Sequence, residues 1–103
     1  MNFDHVAITV NDIGESVKWY VDRLNATIQY QDETWAMVQV GNLNVAMVLP
    51  HMHPPHFALE IKSIDAFPNG HEIKQHRDGS KYIYLSDPSG NVLELLHWPK
   101  PNV

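Results

Sequence analysis

The stretch HMHPPHFALEI, from His51 to Ile61, carries three histidines within six residues, at positions 51, 53 and 56. Imidazoles at that density raise the question of a metal centre or an acid–base site. The 103-residue chain holds seven histidines, twelve acidic residues and no cysteine. Thiolate catalysis, disulfides and cysteine metal sites are therefore excluded. Any metal centre must be built from imidazole and carboxylate. Which of these side chains can meet depends on the elements that carry them.

Residues 3–10 alternate apolar and polar positions and read as a strand. Asp12 then caps a helix running to about Leu24, with Ile13, Val17, Tyr20, Val21 and Leu24 at helical spacing. Strands follow near 26–31, 34–40 and 43–49, the last two joined by a Gly41-Asn42 turn. Pro50, Pro54 and Pro55 make 50–55 a linker. Further strands are expected near 56–62, 71–76, 80–86 and 91–98, with a turn at Asp87-Pro88-Ser89-Gly90. Ser63–Gly70 contains Pro68 and is too short for a full helix.

The two halves repeat. HVAITVNDI at 5–13 matches HFALEIKSI at 56–64, and NVAMVL at 44–49 matches NVLELL at 91–96. The chain thus reads as one α+β domain over residues 1–103, made of paired β-α-β-β-β modules. The first spans 1–49 and the second 56–98, and the second has a shortened helix. Folded about a pseudo-two-fold axis, two such modules can pair their sheets around a shared concave surface.

Side chains alternate along a strand. In the first strand Val6, Ile8 and Val10 suit a core under the helix, so His5 shares the opposite face with Phe3, Ala7 and Thr9. In the strand at 56, His56 stands opposite Phe57, Leu59 and Ile61, beside Ala58 and Glu60. Glu94 lies inside the apolar run Val92–Leu96, where a carboxylate is costly unless it is paired or bound to a metal. The repeat relates His5 to His56 and Met47 to Glu94, and so brings the four positions together. Two imidazoles and a carboxylate can occupy one face of a divalent metal and leave open positions for substrate or water. The expected metal ligands are His5, His56 and Glu94, and the cofactor is one divalent ion: iron, manganese, zinc or nickel. The other histidines fall outside this set. His51 and His53 belong to the linker, His71 and His76 are expected on the surface, and His97 alternates away from Glu94.

If His5 and His56 face a cavity, alternation nominates its wall. Trp35, Met37 and Gln39 share one strand face; Tyr82 and Tyr84 share another; Ala7, Met47, Leu96 and Trp98 complete the set. Such a pocket is aromatic and mostly apolar, suited to a small organic molecule. Tyr84 is the candidate to polarise or protonate it.

Composition narrows the partners. Net charge is −5, with only seven scattered Lys and Arg residues, so nucleic acid is not expected. No run of about 18 apolar residues appears, and the N-terminus lacks the pattern of a signal peptide, so neither a membrane partner nor export is expected. The expectation is a cytoplasmic protein. Its thin core and open sheet edges favour a homodimer.

Three segments, FDHVAITVNDIGESVKWYVDRL, HFALEIKSID and YIYLSDPSGNVLELL, resemble the vicinal oxygen chelate superfamily. That group includes glyoxalase I, extradiol dioxygenases, fosfomycin-resistance thiol transferases and bleomycin-resistance proteins. The resemblance covers nearly the whole chain, and its most specific element is the DPxGNxxE pattern. It implies that the paired β-α-β-β-β modules form an open barrel-like cup around one metal, with the ligand strands contributing His5, Met47, His56 and Glu94. It also implies that Lys74 and Tyr84 contact substrate. Met47 stands where glyoxalase I carries an acid, and a thioether takes no proton. The resemblance therefore implies a metal-dependent lyase, isomerase, thiol transferase or dioxygenase other than glyoxalase I. The alternative is a non-catalytic protein that sequesters a small ligand, as bleomycin-resistance proteins do.

Overall fold

The computed structural model describes residues 1–98. These hold eight strands and one α-helix: β1 (Asn2–Thr9), α1 (Ile13–Leu24), β2 (Thr27–Gln31), β3 (Trp35–Val40), β4 (Leu43–Val48), β5 (His56–Glu60), β6 (Lys74–Gln75), β7 (Lys81–Ser86) and β8 (Val92–His97), with a single 3-10 turn at Ile64–Ala66. The class is α+β, and β-α-β-β-β is followed by a second module with that short turn in the helix position. No helix among the described residues is long and apolar enough to cross a membrane. The chain divides into two compact units, residues 5–56 and residues 1–4 with 57 onward.

In the first unit the strand order is β2-β3-β4-β1. The β1–β4 pair is parallel, and the other two pairs are antiparallel. Asp12 starts α1 by accepting the Glu15 amide at 2.8 Å. Asn25 ends it in the left-handed region at φ 56°, its N–H reaching the Tyr20 and Val21 carbonyls. The i, i+4 residues Ile13 and Val17 are buried against Ala36, Val38, Val45 and Met47, with Val6, Ile8 and Val10 packed alongside. Leu24, also at helical spacing, is the last residue of α1 and is exposed.

In the second unit the order is β5-β8-β7-β6. Here no long helix covers the sheet. Ser63 accepts the Asp65 amide, the turn closes within three residues, and Pro68 prevents its extension. Phe67 and Ile61 from this segment fill the space against Ile83 and Leu95, with Leu59, Leu85 and Leu93 around them. Burying one such phenylalanine is worth roughly 1.5–3 kcal/mol. Strand β6 has two residues rather than the six expected over 71–76.

Candidate functional site

His5 and His56 belong to the same unit, and their rings meet edge to face with centroids 5.6 Å apart. His5 sits on β1, on the face opposite Val6 and Ile8. His56 is the first residue of β5, is buried, and follows two prolines. Its Nδ1 lies 2.8 Å from the carbonyl oxygen of Pro54. A carbonyl only accepts, so Nδ1 carries the proton and Nε2 is the ring's lone-pair nitrogen. That arrangement is the usual one for a metal-binding histidine, since the backbone contact fixes both tautomer and ring orientation. His51 and His53 belong to the preceding segment. They lie in a turn closed by the Met52 and His53 amides on the Leu49 carbonyl.

The face shared with His5 is set by the β1–β4 and β3–β4 ladders. Ala7 pairs with Ala46, and Ala46 pairs with Met37. Directly opposed residues project to the same side of a sheet, so Ala7, Met37, Trp35 and Gln39 lie on the side of His5. Trp35 stacks on Tyr30 with centroids 4.5 Å apart. Gln39 Oε1 accepts from Gln29 Nε2 at 3.5 Å. Met47 pairs with Ile8, is wholly buried, and packs beneath α1. The structure thus moves Met47 from the expected cavity wall into the helix-side core. The repeat match of 44–49 with 91–96 slips by one residue in space. The position corresponding to Glu94 is Ala46, an offset of 94 − 46 = 48 rather than 47, because Ala46 opposes Ala7 as Glu94 opposes Ala58. Ala46, like Met47, offers no acid.

The second unit builds a polar cluster on one side of β8. Glu94 is 2% exposed. It faces Ala58 on β5 and Tyr84 on β7. Burial, with the Glu94 charge second, pushes the Tyr84 phenol far above its ordinary range, so it stays protonated. Tyr82 is raised for the same two reasons and meets Tyr84 edge to face at 5.5 Å. Leu96 is buried on the same side, opposite Tyr82. Lys74 also opposes Tyr82 but is exposed. Trp98 is not in this wall. It is 40% exposed, lies beyond the end of β8, and donates from Nε1 to Asp4 Oδ1 at 3.2 Å.

His76 is the residue that sequence reasoning placed on the surface and the structure places at Glu94. Its Nε2 donates to Glu94 Oε2 at 2.9 Å. Its ring stacks on Tyr82 with centroids 3.7 Å apart and 8° between planes. The available signal was Asp78-Gly79, a strong hairpin turn. It pairs Lys74 with Tyr82 and puts His76 on the tyrosine side. His97, as expected, faces away from Glu94 and donates from Nδ1 to the Ile61 carbonyl at 3.2 Å.

A surface depression of about 320 Å³ lies elsewhere, at the start of α1, lined by Asn11, Asp12, Glu15, Ser16 and Trp19. Asp12 serves there as the helix cap.

The family model described as Glyoxalase/Bleomycin resistance protein/Dioxygenase superfamily matches residues 2–68. No curated protein gives a significant match. Among solved structures, methylmalonyl-CoA epimerase from Mycobacterium tuberculosis is 17% identical with a TM-score of 0.75, covering 97% of this chain and 89% of its own. A glyoxalase/bleomycin resistance protein/dioxygenase superfamily member from Vibrio splendidus 12B01 is 16% identical with a TM-score of 0.69, covering 93% and 98%. The 2,2',3-trihydroxybiphenyl 1,2-dioxygenase from Sphingomonas wittichii RW1 is 20% identical with a TM-score of 0.62, covering 93% of this chain but 42% of its own. Such identities establish a common fold and leave the chemistry open. Since the family model spans well over half of the sequence, the chain belongs to the glyoxalase/bleomycin resistance protein/dioxygenase superfamily.

Proposed function

We propose that the protein is a metal-dependent enzyme acting on a small organic substrate that chelates a divalent ion through oxygens. The whole chain would serve as one glyoxalase-like domain of two modules. His5, His56 and Glu94 would hold the ion, offering two imidazole nitrogens and a carboxylate oxygen. The observation that carries the reading is the His5–His56 ring pair, with His56 oriented by the Pro54 carbonyl so that Nε2 holds its lone pair. Glu94, a buried carboxylate, completes the donor set.

A divalent ion in such a set supplies Lewis acidity and stabilises oxyanion charge on the substrate. The chain's own groups do the rest. Tyr84, held protonated, donates a hydrogen bond to a substrate oxygen. Ala7, Trp35, Met37, Gln39, Lys74, Tyr82 and Leu96 would contact the substrate. Met47 is left out of this set because it is core. The solved relatives include proteins named for an epimerase and for a ring dioxygenase, so reaction type follows from the metal rather than from the fold. Iron would direct the reading to oxygenation, nickel or zinc to isomerase or lyase chemistry, and manganese to thiol transfer. All five residues of edge strand β2 are exposed, which supports assembly as a homodimer.

Elemental analysis of the purified protein tests the reading. Stoichiometric divalent metal is expected, lost in His5→Ala, His56→Ala and Glu94→Gln. A wild-type chain that takes up no metal, or a His5→Ala variant that retains it, would leave the sequestering role of a bleomycin-resistance type in its place. Light scattering tests the assembly, expected at twice the 11.8 kDa chain mass.

A further inference from the structure

We propose that His76 is a positioning residue that holds the Glu94 carboxylate in one orientation for metal binding. The inference rests on the reading of Glu94 as a ligand and adds a residue to that site. Four observations carry it. The Nε2–Oε2 separation is 2.9 Å, and a carboxylate only accepts, so His76 donates. The His76 ring lies flat on Tyr82, which limits its rotation. Its backbone is held by the β6–β7 hairpin, where the His76 amide donates to the Ser80 carbonyl at 2.9 Å and the Gly79 amide to the His76 carbonyl at 3.0 Å. That turn is itself tied down by Asp78, whose Oδ1 accepts from the Ser80 amide and hydroxyl at 2.8 and 2.6 Å, with Ser80 buried.

The donor type matters as much as the distance. The group 2.9 Å from Glu94 Oε2 is an imidazole. A permanent cation at that distance would cancel the carboxylate charge that attracts a metal. An imidazole can donate one proton while remaining neutral, so it orients the oxygen and leaves its charge available. Anchoring Oε2 fixes the direction in which Oε1 is presented.

Chelator-treated wild-type protein and its variants are titrated with zinc and, separately, manganese by calorimetry, with circular dichroism to check folding. His76→Phe keeps a flat ring to stack on Tyr82 but removes the donor. Its affinity for at least one of the two ions is expected to fall about tenfold to a hundredfold. His76→Gln restores an N–H donor and is expected to recover most of that loss. Tyr82→Leu keeps the donor but frees the ring, and is expected to weaken binding less than His76→Phe. Wild-type affinity in His76→Phe, alongside loss of binding in His5→Ala, overturns the positioning role while the metal site stands. Equal loss in the Phe and Gln variants also overturns it, by showing a purely structural need for histidine. A wild-type protein that binds neither ion overturns both this inference and the reading beneath it. Should His76→Phe fail to fold, the comparison of His76→Gln with Tyr82→Leu decides: the inference fails if the Leu variant binds as wild type and the Gln variant binds no metal.

Discussion

Ala46 stands directly opposite Ala7 in the parallel β1–β4 ladder, as Glu94 stands opposite Ala58 in the parallel β5–β8 ladder. The two modules thus present equivalent positions, but only the second carries an acid there. Met47, one residue further, projects to the other side and packs under α1. Because strand side chains have a period of two, a slip of one residue exchanges the core face for the open face.

Met47→Ala is therefore a core deletion. It should cost about 2–5 kcal/mol in urea unfolding, depending on how far the core relaxes. Metal content of the folded fraction should be unchanged. A variant with wild-type stability and altered metal content would contradict the placement of Met47.

The His76–Glu94 bond should be visible in stability as well as in metal binding. In metal-free protein, His76→Phe should destabilise by about 1.5–3 kcal/mol, the usual worth of a hydrogen bond to a charged group. The His76→Phe/Glu94→Leu double variant should be less destabilised than the two single changes summed, because the second change removes the buried charge that the first leaves without its donor. Additive losses in a urea double-mutant cycle would argue against direct coupling.

Asp32 should give the fold a measurable acid dependence. Its Oδ2 accepts the Tyr30 hydroxyl at 2.5 Å, and its Oδ1 accepts the Thr34 and Trp35 amides at 2.7 and 2.9 Å. The Tyr30 hydroxyl first, then those two amides, hold the carboxyl well below its ordinary value of 3.8. A depressed folded-state value contributes stability above the unfolded-state value, and that contribution is lost as pH falls through the folded one. Wild type should thus exceed Asp32→Asn in stability at neutral pH. The gap should narrow as pH drops below about 4, near the ordinary carboxylate value. A gap that widens on acidification would reverse the sign and sink the assignment.

Asp12 should act as a simple cap. Asp12→Ala removes the acceptor for the Glu15 amide and should cost about 1 kcal/mol. That corresponds to a melting-temperature drop of roughly 4–8 °C in a domain of this size. Metal affinity should be untouched, since the cap lies at the far end of β1 from His5. A drop in metal affinity at unchanged stability would show that the loop after β1 serves the site instead.

Local chemistry was enough to locate most elements and several of the chemical groups. Alternation marks β1, the apolar run Val92–Leu96 marks β8, and the spacing of Ile13, Val17 and Tyr20 under an Asp12 cap marks α1. The lack of room between Ser63 and Pro68 foretells a turn in place of a helix. His5, His56 and Glu94 stand out because a histidine recurs at equivalent places in a repeat and an acid interrupts an apolar strand. The helix, turn and strand signals are local, and the recurrence of histidine is read from the repeat of the sequence itself.

Register and hairpin geometry are not short-range, and they decided the rest. The repeat aligned Met47 with Glu94 by letter, whereas the ladders align Ala46 with it, because hydrogen bonds to a neighbouring strand set which side a residue faces. His76 looked like a surface residue because β6 is only two residues long and its own segment has no buried periodicity. Its contact arises from the Asp78-Gly79 turn, which folds it back against Tyr82 and within hydrogen-bond reach of Glu94, eighteen residues later. Residue types and their periodicity determined which chemical groups this chain carries and on which elements they lie. Only pairing between distant strands decided which of those groups share a face.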